Sequence, residues 1–323
     1  MEQKATLNYN EETLRTLERQ GYHFVGTHKH SAVKTCLWLW KSIRGEGNCY
    51  KGKFYGISAH RCVQMTPSIF CNQRCIHCWR PIEAFNVEPR IVWDPPDEIV
   101  EGSIREQMRL ISGFKGSPRT DMAAFNEATK PKHAAISLIG EPTLYPYLNE
   151  LIAEFHARDM TTFVVTNGTN PDVVREIKPT QLYLSLNATE EPGYKKVARA
   201  NYWARIMDSL EELRRKSCRT VIRITCMEGL NMENPEGYAE LVKKANPDFV
   251  EVKAYMHIGY SRKRLSRAAM PAHARVKEFA SEISNYLTAH RIVDESEISR
   301  VVLISNSSIR KRNKMQPVNV FFF

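Results

Sequence analysis

Apolar residues recur in short blocks from residue 134 onward: AAISLI (134–139), TTFVVTN (161–167), LYLSLN (182–187), VIRITCM (221–227), FVEVKAYM (249–256) and RVVLISN (300–306). Each block is short and rich in β-branched or aromatic residues, the pattern of a strand buried on both faces. Segments of helical length separate most of them, at 147–158, 171–177, 202–216 and 272–290. Strand and helix in alternation predict an α/β chain with a parallel sheet and right-handed crossovers, a full or partial (β/α) barrel. Side chains at the C-terminal ends of its strands are then the candidates for chemistry.

The first part of the chain follows no such rhythm. EETLRTLERQ (11–20) has the period of an amphipathic helix, and Pro95-Pro96 open another that is expected to reach about Ser112. The rest of the first 90 residues is expected to be irregular, and residues 113–132 read as a long loop. The expected division is an N-terminal extension, residues 1–65, and a barrel body, residues 66–323, with a basic C-terminal segment. No internal repeat or low-complexity tract interrupts it.

Composition narrows the setting. The 323 residues are 42% apolar, enough to bury a core. No apolar run approaches the roughly 18 residues of a membrane span, and the polar N-terminus MEQKATLNYNEE lacks a signal pattern. A cytosolic, reduced protein is expected, and there clustered cysteines bind metal or do chemistry. The net charge is +10, gathered at Lys195, Lys196, Arg199 and Arg205; at Arg214, Arg215, Lys216 and Arg219; at Arg262, Lys263, Arg264 and Arg267; and at Arg310, Lys311, Arg312 and Lys314. Such clusters suit a polyanion such as nucleic acid, although solvated helix faces and a basic tail read the same way.

The eight cysteines carry the sharpest signal. In PSIFCNQRCIHCWRP, Cys71, Cys75 and Cys78 have the spacing C-x3-C-x2-C. Three thiolates hold three irons of a cubane cluster and leave the fourth open, because such clusters normally take four. A closed Cys3His zinc site using His77 or His60 is the alternative, with His77 strained by its position between two ligands. Upstream, Cys36, Cys49 and Cys62 repeat as C-x12-C-x12-C in a polar neighbourhood. They read as a second three-thiolate set, or as unrelated buried cysteines. Cys218 and Cys226 fit the buried reading and take no role.

With these residues the chain resembles the radical S-adenosylmethionine (SAM) superfamily, whose hallmark is C-x3-C-x2-C ahead of a β/α barrel. The resemblance implies a radical SAM partial barrel, with SAM on the open iron cleaved to an adenosyl radical. In ISLIGEPTLYP, Gly140 and Glu141 match the superfamily's Gly-Gly-Glu contact to the SAM amino group, with Ile139 in place of the first glycine. Asn167, Ser185 and Asn187 end strands where the superfamily contacts SAM's methionyl and ribose parts; turn capping is the other role for these residues. His77 matches the aromatic position near the adenine.

A narrower resemblance runs from about Cys36 to past Arg264. NCYKGKFYGISAHRCVQM, the cysteine triad, SLIGEPTLYP and VKAYMHIGYSRKRL together look like the archaeal-type tRNA 4-demethylwyosine synthases. That family condenses pyruvate with N1-methylguanosine beside the anticodon of phenylalanine tRNA. The likeness implies two [4Fe–4S] clusters, the second on Cys36, Cys49 and Cys62, and a lysine that captures pyruvate as an imine. Lys51 of the CYK element matches it, with Lys53 the neighbouring alternative. In that scheme the adenosyl radical takes hydrogen from the N1-methyl group. The carbon radical then attacks pyruvate, whose C1–C2 bond breaks, and imine exchange with the guanine amine closes the ring. A monomer is expected, reduced by a separate flavodoxin- or ferredoxin-type donor. Arg262, Lys263 and Arg264 are the expected RNA contacts, with the tail around Arg310 a weaker one. The rivals are another two-cluster enzyme, such as the molybdopterin-precursor cyclase, whose second cysteine set lies near its C-terminus, and a zinc-stabilised RNA-binding protein without catalysis.

Overall fold

The structure is a computed structural model and describes residues 11–82 and 91–307. The Arg310–Lys314 cluster lies outside them. Two compact units divide the chain: Met1–Asn72 with Ile82–Val164, and Gln73–Pro81 with Val165–Phe323. This is a different division from the one drawn at residue 65.

In the first unit α1 (Glu11–Arg19) forms as its period predicts, burying Leu14 and Leu17. The segment after it is not irregular, and that expectation is corrected. It holds β1 (His23–Val25), β2 (Ser31–Val33), α2 (Leu37–Ile43), α3 (Tyr50–Tyr55) and β3 (Cys62–Thr66). α4 (Pro96–Ser112) starts at Pro96, with Asp97 and Glu98 in its first turn and Arg109 in its last, each sign matched to the helix dipole. Residues 113–132 are not one long loop either. Asp121 accepts from the amides of Ala123 and Ala124 and starts α5 (Met122–Ala128). β4 (His133–Ile136), α6 (Leu148–Ala157) and β5 (Thr161–Thr166) follow. β1 and β2 pair antiparallel, as do β2 and β3. β3, β4 and β5 run parallel, with Cys62 opposite His133 and His133 opposite Thr161.

The second unit contains α7 (Pro171–Glu176), β6 (Gln181–Ser185), α8 (Glu191–Ala198), α9 (Trp203–Arg214), β7 (Arg219–Cys226), α10 (Pro235–Ala245) and β8 (Phe249–Ala254). α11 (His273–Asn285), β9 (His290–Ser296) and β10 (Val301–Asn306) complete it. β6, β7 and β8 are parallel, as the block pattern predicts. β10 departs from the prediction: it runs antiparallel to both β8 and β9. A strand reached by a hairpin must run back, and the hairpin partner β9 alternates exposed and covered positions instead of forming an apolar block.

Candidate active site

Cys36, Cys49, Cys62 and Lys51 all lie in the first unit. Cys36 caps α2, its Sγ accepting from Leu39 N at 3.4 Å, and packs against the Leu39, Ile43, Ile111, Phe125 cluster. Cys49 stands at the start of α3 and Cys62 opens β3. Burial pushes the Cys62 thiol up to about 12; Cys36 and Cys49 add to the rise and Lys51 opposes it. Cys36 is raised by burial too, against its backbone bonds and Lys51. The three thiols and Lys51 therefore act as one electrostatic group. A thiolate-ligated cluster would supply the positive charge this group lacks, so the donor set fits one. Among the described residues, no three His, Cys, Asp or Glu side chains stand close enough to hold a single metal ion. A cubane takes its thiolates on separate irons, so its ligands spread wider than those of a tetrahedral zinc.

Lys51 and Lys53 are separated by their surroundings. Lys51 is half-buried in α3, its Nζ 5.6 Å from the centre of the Phe163 ring. Lys53 is exposed. Downstream, a polar chain that the sequence did not signal braces the same elements. Ser42 of α2 donates to Asn48 at 2.8 Å, with His60 Nδ1 2.9 Å away. His60 Nε2 meets Glu127 of α5 at 2.8 Å.

Gly140 and Glu141 sit in the same unit, directly against the approach to Cys71. Gly140 has φ +74°, and a Cβ there would lie 2.1 Å from the Ser68 oxygen and 2.5 Å from that of Phe70. Glu141 N donates to Phe70 O at 2.6 Å. The buried Glu141 carboxylate accepts from Thr143 N at 3.1 Å and Thr143 Oγ1 at 2.7 Å, capping the turn after it.

The second unit carries the other expected cofactor contacts. Cys75, Ser185, Asn187, Gln73, Tyr194 and Trp203 line one cleft. Gln73 was not anticipated: it accepts from Cys75 Sγ at 3.1 Å and donates to Tyr194 Oη at 2.7 Å. Asn167 Oδ1 accepts from Thr169 N at 3.0 Å, the turn contact its residue type favours, whereas Asn187 Oδ1 accepts from Thr225 N of β7 at 2.8 Å, a contact between distant segments. His77 is held down to about 4 by burial and by the charge of Arg264, so its ring is neutral. Its Nδ1 is buried without a hydrogen-bond partner among the described residues. An orphaned buried nitrogen beside two cysteines of the triad fits a bound adenine-bearing cofactor.

The basic residues are less uniform than their spacing suggests. Lys195 pairs with Glu191 at 2.7 Å, and Arg215 with Glu212 at 2.9 Å. Lys216 donates to the carbonyls of Val174 and Arg175, each at 2.9 Å, and Arg219 is buried in β7. Arg262 and Lys263 are exposed. Arg264 is only half exposed. Its guanidinium donates to the carbonyl oxygens of Ile76 at 3.2 Å, Arg80 at 3.4 Å and, more closely, Cys78.

The chain is similar to known proteins over most of its length. Residues 65–242 match the radical SAM superfamily and residues 244–306 match a domain described as wyosine base formation. An S-adenosyl-L-methionine-dependent tRNA 4-demethylwyosine synthase of Pyrococcus abyssi is 48% identical over 95% of this chain and 92% of its own. The mouse relative is 38% identical over 91% of this chain but only 41% of its own. Of solved structures, "Structure of TYW1 with a lysine-pyruvate adduct bound" superposes with TM-score 0.84 at 40% identity, covering 92% of this chain and 96% of that one. "Crystal structure of archaeal TYW1" gives TM-score 0.77 at 38% identity over 92% and 96%. No described helix is long and apolar enough to cross a membrane. The chain belongs to the S-adenosyl-L-methionine-dependent tRNA 4-demethylwyosine synthases, radical SAM enzymes that use SAM and a [4Fe–4S] cluster to modify tRNA.

Proposed function

We propose that this enzyme condenses pyruvate with N1-methylguanosine beside the anticodon of phenylalanine tRNA, and that Lys51 holds the pyruvate. The observation that carries the reading is the setting of Lys51: half-buried at the Phe163 ring and within electrostatic reach of Cys36 and Cys62. The related structure that binds a lysine–pyruvate adduct supports it. The amine of Lys51 attacks C2 of pyruvate, and the carbonyl oxygen leaves as water while a C=N bond forms. That step needs the neutral amine, and a lysine is adjusted to such work by its surroundings more readily than an arginine. The Phe163 ring shields one side of the amine from water.

Cys71, Cys75 and Cys78 would hold the cluster that supplies radical chemistry with SAM, and Cys36, Cys49 and Cys62 would hold a second cluster whose Lewis acidity would assist pyruvate. Gly140 and Glu141 offer a tight backbone and a carboxylate to the SAM amino group, Ser185 and Asn187 line its cleft, and Asn167 and His77 complete its surround. Arg262 and Lys263, exposed on one turn, meet the tRNA backbone. A monomer reduced by a separate flavodoxin- or ferredoxin-type donor completes the reading.

The test is anaerobic turnover with SAM, pyruvate, a reductant and phenylalanine tRNA with or without the N1-methyl group, followed by nucleoside analysis. The tricyclic base is expected from the methylated tRNA alone. Equal conversion of both tRNAs, or conversion without pyruvate, would overturn the reading.

A further inference from the structure

The loop that carries Cys75 and Cys78 is fastened from two directions within the second unit. On one side Arg74 N and Ile76 N each donate at 2.9 Å to the carbonyls of Ala198 and Val197. Ile76, between the two cysteines, is buried against Val197, Met227, Tyr255 and Ala269. The other side is held by the turn Gly259–Lys263 and the residue that closes it. Tyr260 N donates to Trp79 O at 2.9 Å. Gly259, at φ +56°, permits that approach, since a Cβ there would lie 2.3 Å from Trp79 O.

We propose that Arg264 is the positioning residue of the radical-initiating loop: its guanidinium fixes the carbonyls of Ile76, Cys78 and Arg80 and thereby sets where Cys75 and Cys78 stand. The planar guanidinium presents its five N–H donors in a rigid fork, so its bonds to three carbonyls impose one fixed arrangement, whereas an ammonium on a flexible stem carries no such fixed directions. Carbonyls gathered on a cation cannot rotate independently, so the loop between them keeps one shape. The cation also lies beside the cluster ligands, where a fixed positive charge favours the cluster's reduced form.

The turn consequently has two faces with separate tasks. Arg262 and Lys263 point to solvent, and Arg264 points to the cysteine loop. The inference rests on Cys75 and Cys78 as cluster ligands, and a Cys75→Ala control tests that reading separately by losing the cluster altogether.

The experiment uses reconstituted full-length enzyme and compares Arg264→Ala, Arg264→Lys and the pair Arg262→Ala/Lys263→Ala. Both Arg264 variants are expected to bind tRNA within about twofold of wild type, yet to lose turnover on the order of a hundredfold, the scale of a misplaced reacting group. Their SAM-induced change in the reduced cluster's electron paramagnetic resonance should weaken, and more 5′-deoxyadenosine should form per modified base. Arg264→Ala should also shift the cluster potential negative, a shift that Arg264→Lys reverses without restoring turnover. The Arg262/Lys263 pair should show the opposite split, with weakened tRNA binding and an unchanged signal. If Arg264→Ala does not fold, Arg264→Lys decides. An unaltered SAM-bound signal and an unaltered 5′-deoxyadenosine-to-product ratio would overturn the proposal, as would restoration of turnover by Arg264→Lys or a loss of tRNA affinity equal to that of the Arg262/Lys263 pair.

Discussion

Lys51 Nζ stands 5.6 Å from the centre of the Phe163 ring. The two residues come from α3 and β5, more than a hundred positions apart, and their meeting sorts two lysines that the sequence places side by side. Lys53 turns outward from the same short helix. An ammonium over an aromatic face is drawn to it, which holds the side chain in place until it reacts. The ring thus positions the amine beside the thiols of Cys36 and Cys62.

The thiol set makes an iron count decisive. Reconstituted enzyme is expected to carry about eight irons per chain, and a Cys36→Ala/Cys49→Ala/Cys62→Ala variant about four. The variant should still reduce and cleave SAM, because the triad that begins at Cys71 is untouched. Four irons in the parent chain, unchanged in the variant, would remove the second cluster.

Gly140→Ala tests the tight passage ahead of Cys71. At φ +74° its Cβ would meet two backbone oxygens that have no flexible side chain to yield. A loss of about 2–4 kcal/mol in denaturant unfolding is expected, together with weaker SAM binding as the Glu141 backbone shifts. Wild-type stability and SAM affinity would contradict this.

A pH dependence follows from His30, which is fully buried. Burial lowers it from its ordinary 6.5, against the hydrogen bond to Pro67 O and the charge of Asp94. The ring is therefore neutral, with Nδ1 donating to Pro67 O at 2.8 Å and Nε2 accepting from Asp94 N at 2.7 Å. Just below 6.5 the unfolded chain takes up a proton that the folded chain refuses, so stability falls as pH falls through this range. Nuclear magnetic resonance should find His30 unprotonated where an exposed histidine is half protonated. A titration midpoint at or above 6.5 would contradict the assignment.

Charge reversal at Arg262 and Lys263 addresses the tRNA face. Arg262→Glu/Lys263→Glu should weaken tRNA binding and lower the slope of log affinity against log salt by about one to two, as expected for that many lost phosphate contacts. Equal affinity across a salt series would free these residues from the tRNA.

Much of this was legible in the sequence, and the illegible parts have physical causes. β4 to β8 announce themselves because strands covered on both faces must be apolar throughout. The cysteine spacings are legible because C-x3-C-x2-C and C-x12-C-x12-C stand out from the sequence without any need of the fold. β1 and β2 are only three residues each, too short to show a period. α3 has six residues and contains Gly52, a poor helix former, so its amphipathic signal is faint. β9 is partly exposed and polar, which hid both the strand and the antiparallel turn into β10. Arg264 could be grouped with its charged neighbours on sequence alone, because the direction of a side chain on a tight turn depends on which carbonyls lie beneath it.

The central claim is that Lys51 captures pyruvate, and borohydride trapping tests it most directly. Anaerobic enzyme is incubated with isotopically labelled pyruvate, reduced, digested and mapped by mass spectrometry. The account predicts a reduced pyruvyl adduct on Lys51, lost in Lys51→Arg together with base formation and retained in Lys53→Arg. An adduct on Lys53 instead, or full base formation by Lys51→Arg, would contradict it.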